Sequence, residues 1–167
     1  LNSVRYHLDA SFVLGRDIDM SAWENWEPIG SSAPSTHTSG SESFLAIYNP
    51  NSEGFGGSFD GNGYTIESLS INTEDSYTVG LFGFAKKDST LKNIKLKNID
   101  YYVDKSGINF NELMGKEGGY WSVDVGGLVS FCSDANVDNC EVSGRILTVD
   151  LPDGSNIGGI IGSNSSH

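Results

Sequence analysis

Val79-Gly80-Leu81-Phe82-Gly83-Phe84 is written three times in this chain. Val125-Gly126-Gly127-Leu128-Val129-Ser130-Phe131 is the second copy, and Ile157-Gly158-Gly159-Ile160-Ile161-Gly162 is the third. Leu91-Lys92-Asn93-Ile94 with Leu96 follows the first copy, and Val137-Asp138-Asn139-Cys140 with Val142 follows the second. Agreement in order, residue type and offset is an internal repeat, and it constrains the fold more than any single residue does.

The rest of the chain has the pattern of short strands. Ser11-Phe12-Val13-Leu14 and Asp17-Ile18-Asp19-Met20 are brief runs, the second alternating polar with apolar, which is strand periodicity. Asp60-Gly61 and Asn62-Gly63 are turn signals, after which Ile66, Leu69 and Ile71 supply inward positions. Leu91, Ile94, Leu96 and Ile99 repeat that spacing between Lys and Asn residues. No segment carries an amphipathic helical stripe, so helix is a minor component. Residues 31–43 are Ser, Thr, Pro and Gly with one His, which predicts an exposed loop before the apolar run Phe44-Leu45-Ala46-Ile47-Tyr48.

Gly80 and Gly127 are 47 residues apart, whereas Gly127 and Gly159 are only 32 apart. The excess falls in an insertion at 104–124, which contains Tyr120 and Trp121. Insertions of this kind sit on one face of a repeat structure, where binding often occurs. Short strands repeating at roughly 25 to 35 residues, with glycines at fixed places, predict stacked coils. The expected class is all-β, a β-solenoid, with an antiparallel sandwich as the competitor. The solenoid is preferred because a sandwich does not require the sequence to repeat. The expected organisation is one domain over 1–167: N-terminal coils and loop (1–56), a first repeat unit (57–103), the insertion, and further repeats (125–167).

Composition narrows the function. A chain of 167 residues and 17.9 kDa suits one domain with a real core. Its 21 glycines are nearly twice the usual share of about 7%. A net charge of −12 argues against nucleic acid and against anionic membranes, both of which require Lys and Arg. No apolar run approaches the roughly 20 residues that cross a bilayer. Starting at Leu1 rather than Met, and stopping inside the third copy, the chain is expected to be a piece of something longer. Of the two cysteines, Cys140 takes the repeat position of Ile94, so a small buried hydrophobe is preferred to a disulfide with Cys132.

Taken in series, Gly80-Leu81-Phe82-Gly83, Gly127-Leu128-Val129-Ser130 and Gly159-Ile160-Ile161-Gly162 resemble the GLUG repeat of bacterial surface proteins. That repeat occurs in adhesins and in the non-catalytic regions of some immunoglobulin A peptidases. Upstream, Trp26-Glu27-Pro28-Ile29-Gly30 and Phe59-Asp60-Gly61-Asn62-Gly63-Tyr64-Thr65-Ile66 resemble the segment that often precedes such repeats. The resemblance implies a right-handed parallel β-helix in a secreted or cell-surface protein, with no catalytic residues. It implies structural roles for Gly80, Leu81, Gly83, Gly127, Leu128, Gly159 and Ile160. Ser130, where the family usually has Gly, is a mild departure; the insertion is a larger one.

Ser89-Thr90-Leu91-Lys92 fits a nucleophile spacing, but in a turn-then-strand context without companion motifs. Asp60-Gly61-Asn62-Gly63 opens like a calcium loop and fails at Tyr64 and Thr65. A looser Ca²⁺ site among Asp17, Asp19, Asp60, Asp100, Asp104 and Asp124 remains open. His7, His37 and His167 share no motif, so no metal site is expected. Asp124, Asp134 and Asp138 with Arg145 are the one group that would serve polysaccharide cleavage, on analogy alone. Trp23, Tyr101, Tyr102, Tyr120 and Trp121 are the aromatics whose flat rings would stack on a glycan, or on a protein ligand. The expectation is therefore a non-catalytic surface module acting in adhesion or as a rigid spacer. The alternative is a carbohydrate-binding or polysaccharide-degrading β-helix domain.

Overall fold

The computed structural model describes residues 1–30, 54–110 and 122–165. The loop expected at 31–43, the run Phe44 to Tyr48, and Tyr120 and Trp121 lie outside the described residues. What is described is all-β, with one short 3-10 helix at Asn2–Tyr6.

Among the described residues there are four sheets, and every pairing in them is parallel. Sheet I is ordered β1 (Ser11–Val13), β3 (Ser58–Asp60), β8 (Thr90–Lys92), β12 (Asn136–Asp138). Sheet II is ordered β2 (Ile18–Asp19), β4 (Thr65–Glu67), β9 (Lys95–Asp104), β13 (Glu141–Val149), with β5 (Ser70–Thr73) also on β9. Sheet III stacks β6 (Thr78–Val79), β10 (Asp124–Gly126) and β14 (Asn156–Gly158). Sheet IV stacks β7 (Phe82–Ala85), β11 (Val129–Ser133) and β15 (Ile161–Ser165). From β6 onward the chain visits sheets III, IV, I and II, then III, IV, I and II again, then III and IV. Each visit adds one strand beside the last. This cyclic order is compatible with a parallel β-helix and rules out an antiparallel sandwich for these strands.

The register explains why the sequence repeats. Phe59, Leu91 and Val137 are partners across sheet I, and Ile66, Leu96 and Val142 across sheet II. Val79, Val125 and Ile157 form a column in sheet III, and Phe82, Val129 and Ile161 in sheet IV. Leu81, Leu128 and Ile160 each precede a member of that last column. The Phe82 amide donates to the Leu128 carbonyl at 2.9 Å, and the Leu128 amide to the Ile160 carbonyl at 2.9 Å. The three glycine-marked segments therefore lie side by side in register. In a parallel ladder identical positions stack at about 4.8 Å, so an apolar residue at one position requires an apolar residue at the next.

Two backbone features hold the copies this close. A Cβ on Gly126 would collide with the Val129 carbonyl and with the Gly162 amide, so no side chain fits there. The chain bends where Asn93 (φ 54°) and Asn139 (φ 48°) adopt the left-handed conformation at equivalent corners. Asp88 (φ 65°) and Asp134 (φ 49°) do the same at another corner. Short polar side chains tolerate this region where branched ones do not. Asn139 donates its amide to Asn93 Oδ1 at 2.7 Å, and Asn93 donates to Asp60 Oδ1 at 3.0 Å. A side-chain ladder thus follows the backbone ladder.

The insertion sits between β9 and β10, where the equivalent turn between β13 and β14 covers only 150–155. Cys132 is buried and Cys140 half-buried, and both thiols are free; burial pushes Cys132 up to about 11. Trp26 is buried near the N-terminal end, with its indole N–H donating to the Leu81 carbonyl at 3.1 Å and Arg5 4.7 Å above its ring.

Leu128 is fully buried while Ile160, in the same column, is 37% exposed. Truncating each to alanine separates column membership from burial. Leu128→Ala is expected to lose about 2–5 kcal/mol in denaturant unfolding, and Ile160→Ala a small fraction of that.

A candidate binding face on the longest sheet

Strands alternate their side chains, so the long strands β9 and β13 sort sheet II into two faces. Ile71, Tyr101 and Ile146 are register partners on the inner face. Asn72, Tyr102 and Leu147, one residue on, are partners on the outer face. Two residues earlier than the Tyr102 column, Ser70, Asp100 and Arg145 form a further outer column. Arg145 grips Asp100 with two hydrogen bonds, at 2.9 and 3.0 Å. Tyr102 is half-buried and donates its hydroxyl to Asp104 Oδ2 at 3.0 Å; this bond, together with the negative charge nearby, raises its phenol pKa.

The outer column continues toward the N-terminus through a side chain. Asn25 donates its amide to the Asn72 carbonyl at 3.1 Å and accepts the Asn72 N–H at 2.9 Å, replacing a backbone partner on that edge. Trp23 lies beside it, its indole N–H donating to the Asn25 carbonyl at 3.2 Å and its ring edge-on to Trp26 at 6.0 Å. Trp23 is 45% exposed. Trp23 is thus connected to the Tyr102 column through the Asn25–Asn72 pair, Asn72 being the register partner of Tyr102.

Tyr101 corrects the sequence expectation. It is fully buried, burial pushes its phenol far above the ordinary value, and its hydroxyl donates to the Gly127 carbonyl at 2.9 Å. Its ring fills the interior between two copies and cannot meet a ligand. Adjacent tyrosines on one strand face opposite ways, so at most one of Tyr101 and Tyr102 was available.

The acidic residues are dispersed. Asp17 accepts the Thr65 N–H, Asp19 the Ser21 N–H, Asp60 the Asn62 N–H, and Asp104 the Ser106 N–H. Among the described residues no three His, Cys, Asp or Glu side chains gather as a metal site, so the six aspartates considered for Ca²⁺ are not brought together. The group considered for polysaccharide cleavage is likewise divided. Asp124 is on β10 in sheet III, Asp134 and Asp138 lie at the two ends of the β12 segment in sheet I, and Arg145 is engaged by Asp100.

Two buried ionisable groups flank the insertion. Asp124 accepts the Asn156 amide at 2.8 Å; burial raises its pKa and the Asn156 bond opposes that shift. Lys105 is buried, donates to the Glu74 carbonyl and lies 5.1 Å from the Tyr77 ring centre. Burial lowers its pKa against the pull of Asp75 and Glu74. Nothing in the sequence signalled Lys105, because a lysine after a strand reads as solvated.

No family model matches the sequence, and no solved structure matches it. Halomucin of Haloquadratum walsbyi is 30% identical over 159 residues, which is 93% of this chain and 1% of that protein. A Gly-rich membrane protein of Evansella cellulosilytica is 31% identical over 103 residues, 58% of this chain and 10% of that protein. The chain thus spans a small fraction of the length of either relative. No helix among the described residues is long and apolar enough to cross a membrane.

Tyr101→Phe is expected to lose about 1 kcal/mol, the worth of one buried hydrogen bond, in denaturant unfolding. Asp124 binds its proton more tightly in the folded than in the unfolded chain. Stability at this site is therefore lost as pH rises from the unfolded carboxylate value through the folded one. Asp124→Asn is expected to melt at a higher temperature than the parent at pH 7, with the advantage gone in acid below both values.

Proposed function

We propose that this chain is a right-handed parallel β-helix module of the GLUG-repeat type, from a secreted or cell-surface protein. It serves as a rigid, non-catalytic spacer and interaction surface. The observation that carries this reading is the in-register stacking of Leu81, Leu128 and Ile160 behind three copies of one motif. Residues committed to such columns are fixed by their neighbours above and below, which suits them to stiffness and leaves them no freedom for chemistry. The resemblance of the matching residues to GLUG repeats, and the names of the two relatives, support a place at the cell surface. A highly acidic surface suits the same place.

The second reading, a carbohydrate-binding domain, is favoured by one observation, the exposed Trp23 connected through Asn25 and Asn72 to the Tyr102 column. Aromatic rings flanked by Asn and Asp are suited to stacking on sugar rings while bonding their hydroxyls.

A glycan array probed with labelled parent chain, Trp23→Ala and Tyr102→Ala decides between them. The spacer reading expects background signal from all three. A glycan bound by the parent and lost in both variants replaces it with the second reading. A reducing-end assay on polysaccharides is expected to show no release, and release abolished by Asp124→Asn would establish a catalytic domain instead.

A further inference from the structure

The corner between sheets I and II is built differently in one pass. From Lys92 to Lys95, and from Asp138 to Glu141, the chain crosses this corner through two residues. Asp60 and Thr65 are the register partners of Lys92 and Lys95, yet four residues lie between them. The additional pair is Asn62-Gly63, and both residues are exposed. Asn62 (φ 51°) and Gly63 (φ 82°) are both left-handed, and the Tyr64 amide donates to the Gly61 carbonyl at 2.9 Å. Positive φ at both central residues is the turn geometry that Asn-Gly favours.

The same turn sets an amide beside an unhindered nucleophile. Nothing lies within 4 Å of where a Gly63 Cβ would be, and among the described residues the Gly63 N–H has no acceptor. Asn93, Asn98 and Asn139 share the left-handed conformation, at φ 54°, 53° and 48°. They precede Ile94, Ile99 and Cys140, whose side chains crowd the following backbone nitrogen, and both isoleucines are buried in the core. Of all the asparagines in the chain, only Asn62 precedes a glycine. Glycine leaves the nitrogen open and the backbone free to bring it toward the side chain, and the asparagine amide is a thermolabile group.

We propose that Asn62 is a site of spontaneous deamidation, at which the chain modifies itself with water as the sole co-reactant. The Gly63 backbone nitrogen loses its proton and attacks Asn62 Cγ. A bond forms between these atoms, the bond from Cγ to Nδ2 breaks, and Nδ2 leaves as ammonia with the proton that Gly63 gave up. Water then opens the cyclic imide at either carbonyl, leaving aspartate or isoaspartate at position 62. No electrons are transferred.

The product alters how the first pass is held to the second. Asn62 donates its side-chain amide to the Leu14 carbonyl at 3.2 Å, while the Leu14 amide donates to the Asp60 carbonyl at 2.9 Å. A carboxylate at position 62 has no proton to offer Leu14 and meets its carbonyl with like charge. It also stands beside the Asp60 carboxylate, which accepts the residue 62 N–H at 2.8 Å. Isoaspartate further routes the main chain through Cβ and Cγ, which lengthens the turn closed by Tyr64 and Gly61. Both products loosen the Leu14 clamp.

The test incubates the full chain in mildly alkaline heavy-oxygen water and maps its peptides by mass spectrometry. Acid carrying heavy oxygen is expected at residue 62, part of it as isoaspartate, before any appears at Asn93, Asn98 or Asn139. In Asn62→Gln, which keeps an amide but closes the ring less readily, no acid is expected at that position over the same period. An amide still intact at residue 62 when any of the other three has converted overturns the proposal, as does conversion of Asn62→Gln at the parent's rate. Asn62→Asp reports on the consequence: amide hydrogen exchange at Leu14 is expected to be about fivefold faster than in the parent, the worth of one hydrogen bond. Unchanged exchange there overturns the loosening of the clamp.

Discussion

Parallel pairing in strict register is the constraint on which everything else here depends. A parallel ladder gives each residue a neighbour of equal height in the next strand, at a fixed separation of about 4.8 Å. If one position faces the interior, its partners face it too. Phe59 above Leu91, and Val79 above Val125, are consequences of that geometry. The interior is continuous through successive passes, and Tyr101 crosses it to reach the Gly127 carbonyl of another segment.

Register alone would not turn the corners. The left-handed Asn93 and Asn139 place the bend at the same height in two passes, and their amides then bond one to the other. A branched residue at either corner would strain the backbone and also break the ladder. Gly126 meets the opposite demand, since the Val129 carbonyl occupies the space that a side chain would need. Small and polar residues at these points are thus architectural, and the glycine-rich composition follows from close approach more than from flexibility.

With the interior and corners committed in this way, what is left for recognition is the outer face. The outer face of sheet II carries an ion pair and a tyrosine, and Asn25, acting in place of a strand, ties the exposed Trp23 to the edge of that sheet.

The sequence by itself determined the strands, the repeat and the inward set. Periodicity and the three glycine motifs are local in the chain, and Leu81, Leu91, Leu96, Leu128 and their relatives could be read from spacing. That Cys140 stands at the position of Ile94 was legible for the same reason, whereas its being only half-buried was not. Only tertiary structure decided which tyrosine was available, because Tyr101 and Tyr102 differ in nothing but the face on which register places them. It likewise decided that the aspartates disperse, that Lys105 is buried, and that Asn25 completes a strand edge 47 residues further on. Each of these depends on which passes of the chain become neighbours, a relation between distant segments that no local pattern encodes.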